Sequence, residues 1–199
     1  MDIKEYLGDL IGGSLMIAES RTVATLLLEH LTEDEWKQKI VSENVLQKKS
    51  GQTSIRYVKT IRSRLEPLGE EFIQALLRVD NQTFTQLLMM AFLLHSPVVA
   101  DFMHHSLQET HRLFKPELSS NAWEDFFNDR VRSRPELSQF SESSMKKMGS
   151  NAIKAFVDMG YIRSARKREL QAVYLMPETK AWLMKLNKTD LAVLMECTL

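Results

Sequence analysis

Residues 143–177 have the sequence SSMKKMGSNAIKAFVDMGYIRSARKRELQAVYLMP, in which a helix pattern is followed by a strand pattern. At about 100° per residue, one narrow stripe of the helix collects the apolar side chains of Met145, Met148, Ala152, Phe156 and Met159. The opposite face carries basic and hydrogen-bonding residues, namely Lys147, Ser150, Asn151 and Lys154. Gly160 then supplies the usual helix C-terminus. This pattern predicts an amphipathic helix with a buried apolar face and a basic face in solvent.

The residues on either side of this helix extend the prediction. Tyr161 to Met176 resemble two short strands joined by a basic tip, which contains Arg166, Lys167 and Arg168. Upstream, NAWEDFFNDRVRSRPEL (residues 121–137) predicts a second amphipathic helix with its aromatic residues inward and its end before Pro135. Helix, turn, helix and hairpin in this order predict a winged helix-turn-helix, whose second helix enters the DNA major groove while flanking groups hold phosphates.

The rest of the chain has helical periodicity nearly throughout. Helix candidates lie near 14–30, 33–46, 53–66, 69–78, 82–94 and 97–113. Thr32 followed by Glu35 predicts a capping box at the start of one of them. Pro116 and the polar residues after it mark the most plausible domain boundary. We therefore expect an all-α, mainly helical protein, with an N-terminal helical bundle over residues 1–116 and a winged-helix-like part with a small β-hairpin over residues 117–199.

Composition and charge limit the classes of function. The 199 residues include 26 basic and 26 acidic side chains, so nucleic-acid binding would require an uneven distribution of charge. Cys197 is the only cysteine, which rules out a disulfide within the chain and suits a reducing cytoplasm. The N-terminal residues contain charges where a secretory signal needs an apolar run. The uncharged stretch 81–100 is interrupted by polar residues and predicts a buried core helix. We expect a cytoplasmic protein without a membrane span.

A second basic segment, QKKSGQTSIRYVKTIRSRLEPL, covers residues 47–68 and has no acidic residue between its first and last cation. Its periodicity predicts a helix with a buried stripe formed by Ile55, Val58, Ile61 and Leu65. Its cations Arg56, Lys59, Arg62 and Arg64 would then lie at the flanks and on the outer face. One such face is commonly just a solvated helix surface. Two acid-free basic segments in a neutral protein favour a shared site for a polyanion.

Signatures of catalysis are absent from the sequence. It has no phosphate-binding GxxxxGK[ST] loop, no GxGxxG after a strand, no GxSxG elbow and no HExxH. Histidines cluster only in DFMHHSLQETH, residues 101–111, and this spacing lacks the converging ligands of a zinc site. We expect no enzyme activity, no metal or other cofactor and no small-molecule substrate.

Several segments together resemble the BrxA family, small accessory proteins of the BREX bacteriophage-defence systems. These segments are GGSLMIAES (12–20), VSENVLQKKS (41–50), SIRYVKTIRSRL (54–65), VVADFM (98–103), WEDFFNDRVRSRPELSQFSESS (123–144) and FVDMGYI (156–162). The resemblance implies a nearly all-helical cytoplasmic protein whose first part is similar to the NusB-like RNA-binding fold. It also implies binding to double-stranded DNA and a role beside other BREX components, including a methyltransferase and large ATPases. It supplies no catalytic residues.

Two functions remain open at this point. One is a DNA-binding accessory protein that uses the two basic helix faces and the basic tip, with RNA as an alternative ligand. The other is an adaptor whose basic faces dock on acidic surfaces of partner proteins in the defence complex. Binding to mixed-sequence duplex that weakens with salt would favour the first, and a salt-tolerant stoichiometric protein complex would favour the second.

Overall fold

The computed structural model describes residues 1–196, and Cys197 lies outside them. The described chain is mainly helical, which confirms the predicted class. The α-helices are α1 (Ile3–Leu7), α2 (Ile17–Leu27), α3 (Glu33–Lys37), α4 (Gly51–Leu65), α5 (Glu70–Arg78), α6 (Asn81–His95), α7 (Pro97–Phe102), α8 (Glu109–Arg112), α9 (Ala122–Ser133), α10 (Glu142–Met159), α11 (Pro177–Lys185) and α12 (Thr189–Met195). Turns of π-helix continue α3 (Gln38–Ser42) and α7 (Met103–Gln108), and 3-10 turns occupy Glu66–Leu68 and Pro135–Gln139.

Helix ends follow the local sequence closely. The Thr32 hydroxyl accepts the backbone N–H of Glu35, and the Glu35 carboxylate accepts the backbone N–H of Thr32, which confirms the capping box. Gly160 ends α10 with a φ of 86°, a left-handed conformation that most side chains disfavour. These boundaries depend on contacts within a few residues, and for that reason the sequence predicts them well.

Helix α6 lies at the centre of the fold. Its side chains from Phe84 to Leu93 are almost all buried, and it contacts α4, α7, α10 and α11. The prediction of a core helix for this uncharged stretch is confirmed. Within residues 1–196, no single helix is long and apolar enough to cross a membrane; α6 and the helix beginning at Pro97 meet the length and composition test only as a pair bent by 106°.

An aromatic cluster joins the two parts of the chain. Phe102 of α7 stacks on Phe156 of α10 with ring centroids 5.4 Å apart, and it meets the edge of Trp123 of α9 at 5.0 Å. Buried apolar residues from both sides of the predicted boundary belong to one continuous core. The division at residue 116 remains a prediction, and the two halves pack directly on each other.

The predicted apolar stripe of α10 is confirmed, since its five residues are all buried. Gly149 lets this helix approach α9 closely, because a Cβ atom there would lie 2.3 Å from Cδ1 of Trp123. The Trp123 indole N–H donates to the carbonyl of Met145 at 2.9 Å. The α9 and α10 pair therefore forms as the sequence predicts.

The predicted β-hairpin and the winged helix built on it are not confirmed. Ile162 and Leu170 form one isolated antiparallel bridge, and Glu169 forms another with Glu117. The pairing of residues 161–163 with residues 169–171 does not extend further along the chain, where the buried Gln86 side chain accepts the backbone N–H of Met176 and donates to the carbonyl of Tyr174. A side chain from α6 thus satisfies backbone groups that a partner strand would otherwise have bonded.

Candidate nucleic-acid interface

The turn formed by residues 8–16 connects α1 to α2 and is fastened by side chains from two distant helices. Arg64 of α4 donates to Asp9 Oδ1 from Nε at 3.0 Å and from Nη2 at 2.9 Å. The same guanidinium donates to the carbonyl oxygens of Gly13 and Ser14 and lies 4.4 Å from the ring centroid of Phe92. Its side chain is only 5% exposed. Burial lowers the pKa of Arg64, and the charge of Asp9 opposes that effect.

The prediction that Arg64 lies on the accessible face of its helix is therefore wrong. A helical wheel puts Arg64 at the edge of the apolar stripe and cannot show that the turn 8–16 covers that edge. Four of its five N–H donors are bonded inside the fold and the side chain is almost fully buried, so it cannot serve as a phosphate contact. We remove it from the candidate contacts.

Asn151 of α10 is a second correction, and it concerns the same turn. Its Nδ2 donates to the carbonyl of Leu10 at 2.7 Å and lies 3.4 Å from the carbonyl of Ile11. The side chain is buried, so it cannot reach base edges as predicted. The adjacent Ser150 is exposed, but its hydroxyl donates to the carbonyl of Lys146 at 2.9 Å in its own helix.

Arg64 of α4 and Asn151 of α10 both bind the turn 8–16, which brings the two predicted basic faces to the same part of the molecule. Thr60 of α4 touches Gly12 in the turn, and Asn151 of α10 binds the turn from the other side. Arg56 precedes Thr60 by one helical turn, and Lys147 precedes Asn151 by one helical turn. We call the exposed faces on both sides of the turn the α4/α10 surface; its cations are Arg56, Lys147 and Lys154, and Lys48 lies in the loop before α4.

Glu19 of α2 lies between cations from the two basic segments. Lys48 donates from Nζ to the Glu19 carboxylate, and the charge of Lys154 also acts on that carboxylate. Burial raises the pKa of Glu19, but the hydrogen bond from Lys48 and the nearby positive charges outweigh it, so the pKa is lowered overall. Lys48 contacts this carboxylate directly, and Lys154 is near enough for its charge to act on it, so the two basic segments lie on the same side of the molecule.

The cations of this surface differ in how strongly they are held. Lys147 and Arg56 are exposed and form no ion pair within residues 1–196. Lys154 pairs with Asp158 one turn later at 2.8 Å, and its side chain is 62% exposed. No acidic residue stands between Glu142 and Asp158 in the sequence, so the solvent face of α10 is basic over about four turns.

Lys59 and Arg62 face a different groove, and Lys59 also borders a cleft beside Gly8 and Asp9 of the turn. They line a groove of about 640 Å³ between α3 and α4, together with Trp36, Ile55 and Val41. Arg62 is bonded to Glu66 at 2.6 Å, lies 3.5 Å from Glu33 and covers the Trp36 ring at 4.7 Å. Burial lowers the pKa of Arg62, and its two carboxylate partners raise it by more. Ile55 is 45% exposed in this groove, so the prediction that it belongs to the buried stripe is wrong.

The basic tip is held by the segment that precedes α9. Arg168 has a φ of 55° and donates from Nη1 to the carbonyls of Ser119 and Ser120 at 2.6 and 2.8 Å. Lys167 lies 3.7 Å from Glu169, whereas Arg166 is exposed and forms no ion pair in the described part of the chain. The tip therefore docks on the segment before α9, and only Arg166 and Lys167 are available for a ligand.

His104 and His105 of the histidine cluster have partners within the fold, whereas neither ring nitrogen of His111 has a hydrogen-bond partner in the described structure. Asp101 accepts the hydroxyl of Tyr6 at 2.6 Å and a bond from Arg130 at 2.6 Å, with His105 3.3 Å away. His104 is within hydrogen-bond distance of Gln108. No group of three or more His, Cys, Asp or Glu residues with metal-binding geometry occurs among residues 1–196.

Comparison with known proteins places the chain in a family. The BrxA family model matches residues 4–187. The BREX protein BrxA of Escherichia coli O9:H4 (strain HS) is 44% identical over 193 residues, which cover 97% of this chain and 91% of the relative. The BREX protein BrxA of Paramagnetospirillum magneticum (strain ATCC 700264 / AMB-1) is 32% identical over 183 residues, which cover 92% of each chain. A crystal structure of an uncharacterized protein from Magnetospirillum magneticum has a TM-score of 0.85 and 29% identity, covering 98% of this chain and 100% of that chain. The chain therefore belongs to the BrxA family.

Proposed function

We propose that this chain is a non-enzymatic component of a BREX phage-defence system and that it binds duplex DNA through the α4/α10 surface. The names of the two relatives support the place in BREX. The observation that carries the DNA-binding proposal is the pair of unpaired, exposed cations on two helices that one turn holds together, Arg56 on α4 and Lys147 on α10. Lys154 extends the surface by two turns of α10, or about 10 Å from Lys147.

The same geometry argues for binding that is independent of base sequence. Lysine and arginine neutralise phosphates whatever the bases are, whereas reading a sequence needs directional hydrogen bonds to base edges. Asn151 is buried and the hydroxyl of Ser150 is already bonded to its own helix. The Asn151 side chain is thus engaged inside the protein and the exposed Ser150 hydroxyl donates to its own helix, so the remaining contacts are electrostatic. RNA carries the same phosphates, so it is tested as a ligand beside duplex DNA.

Docking to a partner protein is the second candidate. The α3/α4 groove supports it, because the exposed side chains of Ile55 and Val41 leave apolar surface at a site rimmed by charges of both signs. A protein partner would cover this apolar floor, and a polyanion would not.

The test is a titration of duplex DNA, single-stranded DNA and RNA against the wild type and against Lys147→Ala/Lys154→Ala at several salt concentrations. Each lost phosphate contact lowers the slope of log affinity against log salt by about 0.9 on duplex DNA, so the double variant should lose up to about 1.8. Lys37→Ala/Lys188→Ala is the matched control, since it removes two exposed lysines that form no ion pair within the described chain.

A second variant, Arg166→Ala/Lys167→Ala, asks whether the tip contributes, and it leaves Arg168 in place to keep the bonds to Ser119 and Ser120. An unchanged salt slope in this variant assigns the tip to solvent or to a protein partner. Equal slopes for the Lys147/Lys154 variant, the control and the wild type would contradict the proposal and favour the docking function.

A further inference from the structure

The α3/α4 groove leaves apolar side chains open to solvent. Ile55 of α4 is 45% exposed, and Val41 of the π-turn that continues α3 is 40% exposed. Trp36 and Val58 line the same groove and are buried. Exposed apolar residues scattered singly over a surface need no explanation, whereas apolar side chains gathered in one groove are typical of a binding site.

The shape of the groove fits a helix. Its α4 wall runs from Ile55 to Glu66, a length of about 16 Å or three helical turns. Both walls are helical, so their backbone groups are bonded within their own helices and offer no strand edge. An extended peptide would leave its own backbone N–H and C=O groups without partners here, whereas a helix satisfies them internally and presents only side chains.

The carboxylates at the groove are compensated within the fold. Glu33 lies 3.5 Å from Arg62, and Glu66 accepts a bond from the same guanidinium at 2.6 Å. Asp34 lies in the first turn of α3, where the free N–H groups of a helix stabilise negative charge. These acidic groups therefore do not need a cation from a partner.

Two cations at the groove have no such compensation. Lys37 and Lys59 both line it, are exposed and form no ion pair within residues 1–196. Free positive groups beside an apolar floor favour a partner that carries carboxylates beside an apolar stripe.

We infer that the α3/α4 groove binds an amphipathic helix of a partner protein, whose apolar side chains repeat every three or four residues and whose acidic residues flank that stripe. The apolar stripe covers Ile55 and Val41, and the acidic residues pair with Lys37 and Lys59. This inference names the chemistry of the partner for the docking function. It uses none of the cations proposed to bind DNA, so either proposal can fail without the other.

The test is fluorescence anisotropy of two synthetic peptides of about 18 residues, long enough to form a helix. Both carry leucine at every third or fourth position, and beside that stripe one has glutamate and the other lysine. The full chain should bind the acidic peptide about tenfold more tightly than the basic one, because two exposed ion pairs form. Ile55→Ser should weaken the acidic complex by at least about tenfold. Val193→Ser is the matched control, since Val193 is 73% exposed on α12, and it should bind like the wild type.

A charge reversal tests the electrostatic part. Lys37→Glu/Lys59→Glu should prefer the basic peptide, while Lys147→Ala/Lys154→Ala, which removes two lysines from the DNA surface, should bind the acidic peptide like the wild type. Far-ultraviolet circular dichroism checks that each variant is folded.

Four outcomes would overturn the inference. They are equal affinity for the two peptides or no binding of either, an Ile55→Ser variant that behaves like Val193→Ser, an unchanged preference after the charge reversal, and loss of peptide binding in Lys147→Ala/Lys154→Ala. Light scattering of the protein alone examines a second copy as the occupant, and a lower molecular mass for Ile55→Ser than for the wild type would assign the groove to self-association instead.

Discussion

Replacing Arg64 and Arg56 with alanine in separate variants distinguishes a structural cation from a proposed ligand-binding cation on the same helix. In the native protein the guanidinium binds Asp9, two carbonyl oxygens of the turn 8–16 and the face of Phe92. Arg64→Ala leaves Asp9 without its buried counter-charge and leaves the two carbonyls without donors. Arg56→Ala, two turns earlier, removes an exposed cation without an ion pair in the described chain.

The expected losses of stability differ several-fold. Removing one partner of a buried ion pair costs about 3–5 kcal/mol. Asp9 keeps part of its contacts through the Ser63 hydroxyl at 3.0 Å and is itself partly exposed, which places the expected loss for Arg64→Ala near the middle, at about 4 kcal/mol. An exposed substitution such as Arg56→Ala stays within about 0.5 kcal/mol.

Urea unfolding followed by circular dichroism measures both. With a denaturant slope of about 2–3 kcal/mol per molar, Arg64→Ala should lower the midpoint by roughly 1.3–2 M and Arg56→Ala by less than about 0.3 M. DNA titrations should show the reverse order in the salt slope, with a loss of about 0.9 only for Arg56→Ala. A stable Arg64→Ala protein that has lost salt-dependent DNA binding would refute this assignment and return Arg64 to the binding surface.

Three further outcomes follow from the same contacts. Asn151→Ala should cost about 1–3 kcal/mol by leaving a buried carbonyl without its donor, while Ser150→Ala should stay within about 0.5 kcal/mol in the same urea assay. Glu19→Gln should strengthen DNA binding and steepen its salt slope by up to about 0.9, because two lysines lose a competing carboxylate; a weaker complex in the gel shift would contradict this. Burial lowers the pKa of His95 and of His111, so the unfolded chain binds more protons below about pH 6.5 and stability should fall as pH drops from 7 to 5. His95→Gln should reduce that slope in urea titrations at several pH values, and an unchanged slope would rule out its contribution.

The elements that the sequence predicts well depend on neighbours along the chain. The stripe of α10 and the capping box at Thr32 follow from spacings of three and four residues, and the fold preserves both. The basic character of the α10 face is also a local property, because it depends only on which residues face away from the stripe. These features survive because no distant segment competes for the same side chains.

The predictions that were not confirmed concern residues whose surroundings are set by other segments of the chain. Arg64 and Asn151 lie at the borders of apolar stripes, where a helical wheel predicts exposure to solvent. In the fold the turn 8–16 covers both side chains and buries them. Ile55 has the spacing of a core residue, yet it lines the open groove between α3 and α4 and stays 45% exposed. The residues near Tyr174 have the β propensity of a strand, but the buried Gln86 side chain donates to the carbonyl of Tyr174. Arg64, Asn151 and the backbone near Tyr174 are each bound by a segment more than forty residues away.

The chain carries equal numbers of acids and bases, so the strength of its proposed DNA contact depends on which ion pairs can exchange. An exposed pair is worth at most about 1 kcal/mol, and Lys154 is 62% exposed, so a phosphate can replace Asp158 as its partner at little cost. Lys48 is only 26% exposed and bonds to a mostly buried Glu19, and withdrawing it would leave that carboxylate without its partner. Lys48 therefore holds the loop before α4 against α2 and stays there when DNA binds. Arg56 and Lys147 have no pair to break, and single alanine variants should rank them above Lys154 in their effect on affinity.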